Sequence, residues 1–167
     1  MTMLGDVLFE ESQVQRIAAA LLARGEMLAS AESCTGGLIA AACTSVAGSS
    51  RWFERGVVSY SNAAKTEWLG VDATLIEAHG AVSQAVALAM AHGVLDRSAA
   101  HWALSVTGIA GPDGGTCDKP VGTVWLALVA RNGVENAWCE QFSGNRSQIR
   151  LATVRSGLAA LELGLVR

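Results

Sequence analysis

One stretch constrains this chain more than any other: Met27-Leu-Ala-Ser-Ala-Glu-Ser-Cys-Thr-Gly-Gly37. It runs from an extended segment into Leu38-Ile-Ala-Ala-Ala-Cys43, which reads as helix. Gly36 and Gly37 leave no side chain between the backbone and a ligand. Ser33 and Thr35 suit the N-cap, where a hydroxyl takes an otherwise orphan N–H. Such a turn aims several backbone N–H groups at one point, and the helix dipole favours an anion or a developing oxyanion there. Ser33 would present its hydroxyl at that point. Two readings stand at this level: a capped strand-to-helix turn with glycines for close packing, or a ligand-facing turn that carries a nucleophile.

The flanking pattern is that of an α/β protein. Phe9 to Arg24 carries Val14, Ile17, Ala18, Leu21 and Leu22 at helical spacing, with Gly25 as C′ residue. Met27 to Ala31 reads as a short strand, and the helix after the Ser33 turn runs to about Val46. Phe53 to Ser61 reads as a strand. Asn62 then caps a short helix, Ala63 to Leu69, that carries Lys65. Ala73 to His79 reads as a helical turn or short helix. Gln84 to Leu95 reads as a helix capped by Ser83, with Ala85, Leu88 and Ala89 on its sheet-packing face. Trp102 to Thr107 is a strand that ends in Gly108-Ile-Ala-Gly-Pro-Asp-Gly-Gly115. Val121 to Ala130 and Val134 to Phe142 flank Asn132-Gly133, a hairpin signal. Ser143-Gly-Asn145 opens a last helix, Arg146 to about Leu163, with Leu151, Val154, Leu158 and Leu161 on one face.

The order is therefore α-β-α-β-α-α-β-β-β-α. Alternation in the first half predicts parallel strands, and the hairpin adds antiparallel ones. The expectation is an α/β fold: a three-layer α/β/α sandwich with a mixed, partly parallel sheet. With no repeat, low-complexity tract or linker, residues 1–167 read as a single domain.

Composition narrows the partners. Apolar residues make up 51% of the chain and charged ones 16%, a composition that suits helices packed closely on a sheet and argues against a disordered chain. The net charge is −3 and no basic stripe is present, so nucleic acid is not expected as a ligand. Cys34, Cys43, Cys117 and Cys139 form no CxxC pair and have no His at ligand spacing; no metal is expected. They read as small, mostly buried thiols of a reducing compartment. The N-terminus lacks a basic n-region, and no uncharged apolar run approaches the roughly 18 residues of a membrane span. The cytoplasm is the expected location, with no membrane partner.

In open α/β sheets ligands gather at the carboxyl ends of strands. The Ser33 turn, the Tyr60-Ser-Asn-Ala-Ala-Lys65 stretch and the Gly108–Gly115 loop all follow predicted strands, so parallel neighbours would bring them to one edge. A serine needs a base to attack a carbonyl. His92 falls in mid-helix, His79 near a helix end and His101 at the wrong end of a strand. A neutral lysine can replace histidine. Lys65, one of only two lysines, sits early in its helix near the expected cleft. To be neutral its pKa must sit far below its ordinary value, a change of roughly 4 kcal/mol that burial and a helix N-terminus can supply. Tyr60, the only tyrosine, could relay a proton or hold the lysine. Cys34 is the rival nucleophile, since a thiol at a helix N-terminus has a depressed pKa. Glu32 could orient a ligand hydroxyl or simply favour the helix N-terminus. The free N–H groups of the Gly108–Gly115 loop could form a phosphate nest, or the loop could be plain surface. Arg146 and Arg150 share a helix face and could contact a phosphate or carboxylate, although for Arg150 a solvated position is preferred. The tryptophans read as core or interface.

Four motifs, in order, resemble the CinA C-terminal domain family: Ala31-Glu-Ser-Cys-Thr-Gly-Gly37, Val58-Ser-Tyr-Ser-Asn-Ala-Ala-Lys65, Val106-Thr-Gly-Ile-Ala-Gly-Pro112 and Lys119-Pro-Val-Gly-Thr-Val124. The resemblance runs from about Gln13 to Leu163. It implies hydrolysis of the carboxamide of nicotinamide mononucleotide to nicotinate mononucleotide and ammonia, without metal or organic cofactor, in a homodimer. Larger members carry an extra N-terminal domain, which is not expected here. By motif position the resemblance implies Ser33 as nucleophile, Lys65 as its base and Tyr60 as third member. Glu32, Thr35, Gly36, Thr107, Gly108, Gly111 and Arg146 are expected on the substrate side, with Arg146 toward the phosphate. Ala63 stands where relatives are often acidic, and Cys117-Asp118 where they vary. The rival expectations are a non-catalytic nucleotide- or partner-binding module and an amidase for another pyridine or nucleotide amide.

Overall fold

The computed structural model describes residues 10–166. The helix expected from Phe9 therefore begins outside the described residues; within them α1 spans Glu11–Arg24 and ends on Gly25 at φ +65°, a conformation glycine adopts without strain. Strand β1 is Leu28–Glu32, α2 is Leu38–Thr44, and a 3-10 turn, Ser49–Arg51, leads into β2, Phe53–Val58. Three helices follow: α3 Asn62–Leu69, α4 Ala73–His79 and α5 Gln84–Asp96. Strands β3 Trp102–Gly108, β4 Thr123–Ala130 and β5 Glu135–Gln141 precede α6, Arg146–Leu165.

Residues 73–79 form the short helix, one of the two forms expected there, capped by the Asp72 side chain, which accepts from the Thr74 N–H, so the element order gains one α. One cap is corrected. The cap of α3 is Ser61, whose hydroxyl accepts from the Ala64 N–H, and Asn62 is already helical. Ser83 caps α5 as expected, and Asn145 with Gln148 forms a reciprocal capping box on α6.

The sheet is five-stranded in the order β2-β1-β3-β4-β5. β1 runs parallel to both β2 and β3, whereas β4 and β5 are antiparallel neighbours. The expected mixed, partly parallel α/β sheet is thus present, with helices on both faces. On one face α1, α2 and α6 pack over the large side chains Leu28, Leu104, Val106, Val124, Leu126 and Leu128. On the other, α5 lies over small residues, Ala29, Ala31, Ala103 and Ala127, with α3 and α4 outside it. Small sheet residues let the α5 backbone approach closely, and Ser105 Oγ donates to the Ala87 carbonyl at 2.6 Å. The stripe of α5 that is buried is Val86, Ala87, Met90, Ala91 and Val94; Ala85, Leu88 and Ala89 are only half-buried. That corrects the expected face by about a third of a turn, because α5 is apolar nearly all round and its periodicity does not single out a side.

Because β1, β2 and β3 run parallel, their carboxyl ends open onto one sheet edge. The antiparallel pairing of Gly108 with Val124 brings the start of β4 to the same edge. Among the described residues no helix is long and apolar enough to cross a membrane.

Candidate active site

At that edge lies a cavity of about 220 Å³. Its wall includes Ser33 and Cys34 after β1, Tyr60 and Lys65 after β2, and Thr107 and Gly108 at the end of β3. Arg146, the first residue of α6, stands at its mouth.

Ser33 leaves β1 with its N–H still bonded to the Val106 carbonyl at 3.0 Å, so the turn begins from a fixed strand end. The expected N-cap roles of Ser33 and Thr35 are not what the structure has. The N-cap of α2 is Gly37, without a side-chain cap of its own. The anion at this helix N-terminus is the carboxylate of Glu32. It accepts from the N–H groups of Gly37, Ile39 and Ala40 at 2.9–3.0 Å and from Thr35 Oγ1 at 2.6 Å. Glu32 is wholly buried and does not line the cavity, so its expected place beside substrate is corrected: it holds the turn from beneath. Thr35 is buried with it, and Gly36 also lies off the cavity wall. Among the described residues, the turn amides without a hydrogen-bond acceptor are those of Cys34 and Thr35.

Lys65 is 1% exposed. Its Nζ lies 3.1 Å from Ser33 Oγ, 2.9 Å from the Ser59 carbonyl and 3.2 Å from the Tyr60 carbonyl. Burial lowers its pKa, opposed only by the nearby Cys34. Three acceptors match the three N–H bonds of an ammonium; in a neutral amine the two carbonyls would take both N–H bonds and the lone pair would face the Ser33 hydroxyl. Cys34 behaves oppositely to expectation: burial pushes its thiol up to about 11. The residue's own backbone amide, Arg150 and Lys65 pull the other way, but burial, with the charge of Glu32 beside it, outweighs them. Cys43 is likewise buried, but Cys117 and Cys139 are exposed, so only half of the cysteines match the buried reading.

Tyr60 holds Lys65 through its main-chain carbonyl. The residue is 59% exposed, and its phenol accepts from Arg146 Nη2 at 3.0 Å, while Arg146 Nη1 donates to the Gly111 carbonyl at 2.8 Å. Gly111 thus shapes the mouth without lining the cavity. Thr107 Oγ1 donates to the Ala81 carbonyl at 2.8 Å and fixes the segment that enters α5. Asn62, Ala81, Val82 and Ala110 complete the wall. Asn62 and Ala110 belong to the two stretches expected at this edge; nothing in the types of Ala81 and Val82 marks a site, and only the folding-back of the α4–α5 connection brings them there. The histidines stand away from the cavity. His92 pairs with Glu135, and His101 Nδ1 accepts from the Met27 N–H.

The sequence profile of the CinA C-terminal domain matches residues 10–165. The chain belongs to the CinA C-terminal domain family. Within the CinA family it is 56% identical over 135 residues to the nicotinamide-nucleotide amidohydrolase PncC of Enterobacter agglomerans, covering 81% of this chain and 82% of that protein. It is 47% identical over 147 residues to PncC of Escherichia coli K12, covering 88% and 89%. Among solved structures, the competence/damage inducible protein CihA of Agrobacterium tumefaciens superposes with a TM-score of 0.91 at 49% identity, over 94% of this chain and 95% of that one. The CinA fold expected from the four motifs is therefore the fold of this chain.

Proposed function

We propose that the chain is a nicotinamide-nucleotide amidohydrolase, acting on the carboxamide of nicotinamide mononucleotide, with Ser33 as nucleophile and Lys65 as its base. Two lines support this reading. Relatives of nearly the same length carry that activity in their names. The observation that carries the mechanism is the approach of a buried amine to a cavity-facing hydroxyl, 3.1 Å apart.

In this reading Ser33 Oγ attacks the carboxamide carbon while its proton passes to Nζ of Lys65. The negative charge that forms on the former carbonyl oxygen is assigned to the free amides of Cys34 and Thr35. The Lys65 ammonium then gives its proton to the amide nitrogen, the C–N bond breaks and ammonia leaves. A water attacks the resulting ester and gives a proton to Nζ. The ester C–O bond breaks, Ser33 takes the proton back, and nicotinate mononucleotide is released. Tyr60 contributes its carbonyl to hold Lys65 and its phenol to steady Arg146. The cavity volume is smaller than the roughly 300 Å³ at which small-molecule pockets begin, so it takes the pyridine carboxamide end. Ribose and phosphate extend through the mouth toward Arg146, whose fork suits a phosphate.

The test is ammonia release from nicotinamide mononucleotide by the wild type, Ser33→Ala and Lys65→Ala. The wild type is expected to turn over and both variants to lose activity. Full activity in both variants would overturn the mechanism. Nucleotide binding by the wild type without product would instead favour a non-catalytic module.

A further inference from the structure

The turn that carries Ser33 is gripped from a second side, by α6. Arg150 lies one helical turn beyond Arg146 and is half-buried. Its Nε donates to the Cys34 carbonyl at 3.1 Å and its Nη2 to the Thr35 carbonyl at 2.8 Å. Arg150 does not line the cavity, so the solvated surface position expected for it is corrected, yet it does not become a ligand contact. Gly36 supplies the left-handed backbone of the turn beside this grip. Its φ is +58°, and a Cβ there would stand 3.4 Å from Nη2 of Arg150.

Residues 33–37 belong to no helix or strand, so beyond the Ser33 N–H on Val106 no ladder bond fixes their peptide planes. Each peptide is nevertheless a rigid plane. Holding the Cys34 carbonyl therefore sets the direction of the Thr35 N–H on the opposite side of that plane. Holding the Thr35 carbonyl sets the Gly36 N–H, which closes the turn onto the Ser33 carbonyl at 3.1 Å. Glu32 grips the donors of the same turn, so its amides and carbonyls are tied to opposite charges on different elements.

The geometry points to Arg150 as a positioning residue that sets the nucleophile turn for turnover and takes no part in holding substrate. This inference rests on the amidohydrolase reading above. It gives the two arginines of one helix face different tasks: Arg146 reaches the ligand, and Arg150 reaches the backbone that presents Ser33.

Steady-state kinetics on nicotinamide mononucleotide separate the two. Arg150→Ala is expected to lower kcat by about 100-fold, the cost of a misplaced reacting group, while KM stays within about 3-fold. Arg150→Lys restores part of kcat, because an ammonium keeps the charge without the planar fork. Arg146→Ala does the reverse and raises KM. A raised KM with unchanged kcat in Arg150→Ala overturns the assignment in favour of a substrate contact, and unchanged values of both overturn it in favour of a surface arginine. If Arg150→Ala does not fold, Arg150→Lys decides: wild-type kcat there overturns the assignment. Hydrogen exchange of the peptide spanning residues 33–40 gives a readout that needs no activity. It is expected to quicken in Arg150→Ala and not in Arg146→Ala, and unaltered exchange in Arg150→Ala overturns the assignment. Absence of ammonia release by the wild type would sink the functional reading alone.

Discussion

Nζ of Lys65 and Oγ of Ser33 lie 3.1 Å apart, although 32 residues separate them in the chain. β1 and β2 are parallel neighbours, so the turn after one and the helix after the other meet at the same edge. The amine is buried and fully engaged by two carbonyls and this hydroxyl. The pair is a nucleophile and base only if the amine gives up its proton, and burial drives it that way.

The pH dependence follows with a definite sign. The proposed mechanism requires neutral Lys65, so kcat/KM is expected to rise with pH through its lowered pKa and level off before the ordinary 10.5. Between the lowered pKa and 10.5 the unfolded chain binds more protons than the folded one, so folding stability gains with rising pH across that window. Below the lowered pKa the cost of burying the cation is present in full. Urea unfolding at several pH values should find wild type gaining on Lys65→Met as pH rises through this window. A difference flat in pH would mean that Lys65 is charged in both states.

Cys34 sits beside the proposed nucleophile but is protonated at neutral pH, its thiol pushed up to about 11 by burial. Iodoacetamide at pH 7.5 is therefore expected to label the exposed Cys117 and Cys139 well before Cys34, as peptide mass mapping would record. Cys34→Ala should retain activity within about 5-fold, in the range of a lost packing contact. Abolished activity in that variant, with Ser33→Ala still active, would move the nucleophile to the thiol.

Glu32 satisfies the amides of Gly37, Ile39 and Ala40 and the Thr35 hydroxyl in a wholly buried place. Glu32→Ala strands those donors and is expected to cost about 3 kcal/mol or more of stability. Glu32→Gln keeps one carbonyl acceptor and should cost less. Chemical denaturation of the two variants measures the difference. Equal stability of Glu32→Ala and wild type would mean that the turn holds itself.

Tyr60 meets Lys65 with its main chain and Arg146 with its phenol. Tyr60→Phe removes only the second contact. It should raise KM several-fold through a looser Arg146, with kcat within about 10-fold of wild type. A fall in kcat of about 1,000-fold or more at unchanged KM would give the hydroxyl a direct part in proton transfer.

Much of this protein is written locally. Gly25 at φ +65° stops α1, Asn132-Gly133 turns the β4–β5 hairpin, and the Asn145–Gln148 box starts α6. Each is an interaction among residues a few positions apart, so spacing alone reveals it. The four motifs mark which loops form the site, and the parallel strands they follow imply that those loops meet. Tertiary structure alone decided the partners. Glu32 rather than Ser33 caps α2, Arg150 reaches back 115 and 116 positions to grip the turn, and burial makes the thiol of Cys34 less acidic than its helix-terminal place suggests. The order β2-β1-β3 and the seat of α6 set those distances and exclude water there, and a pKa or a hydrogen-bond partner depends on both.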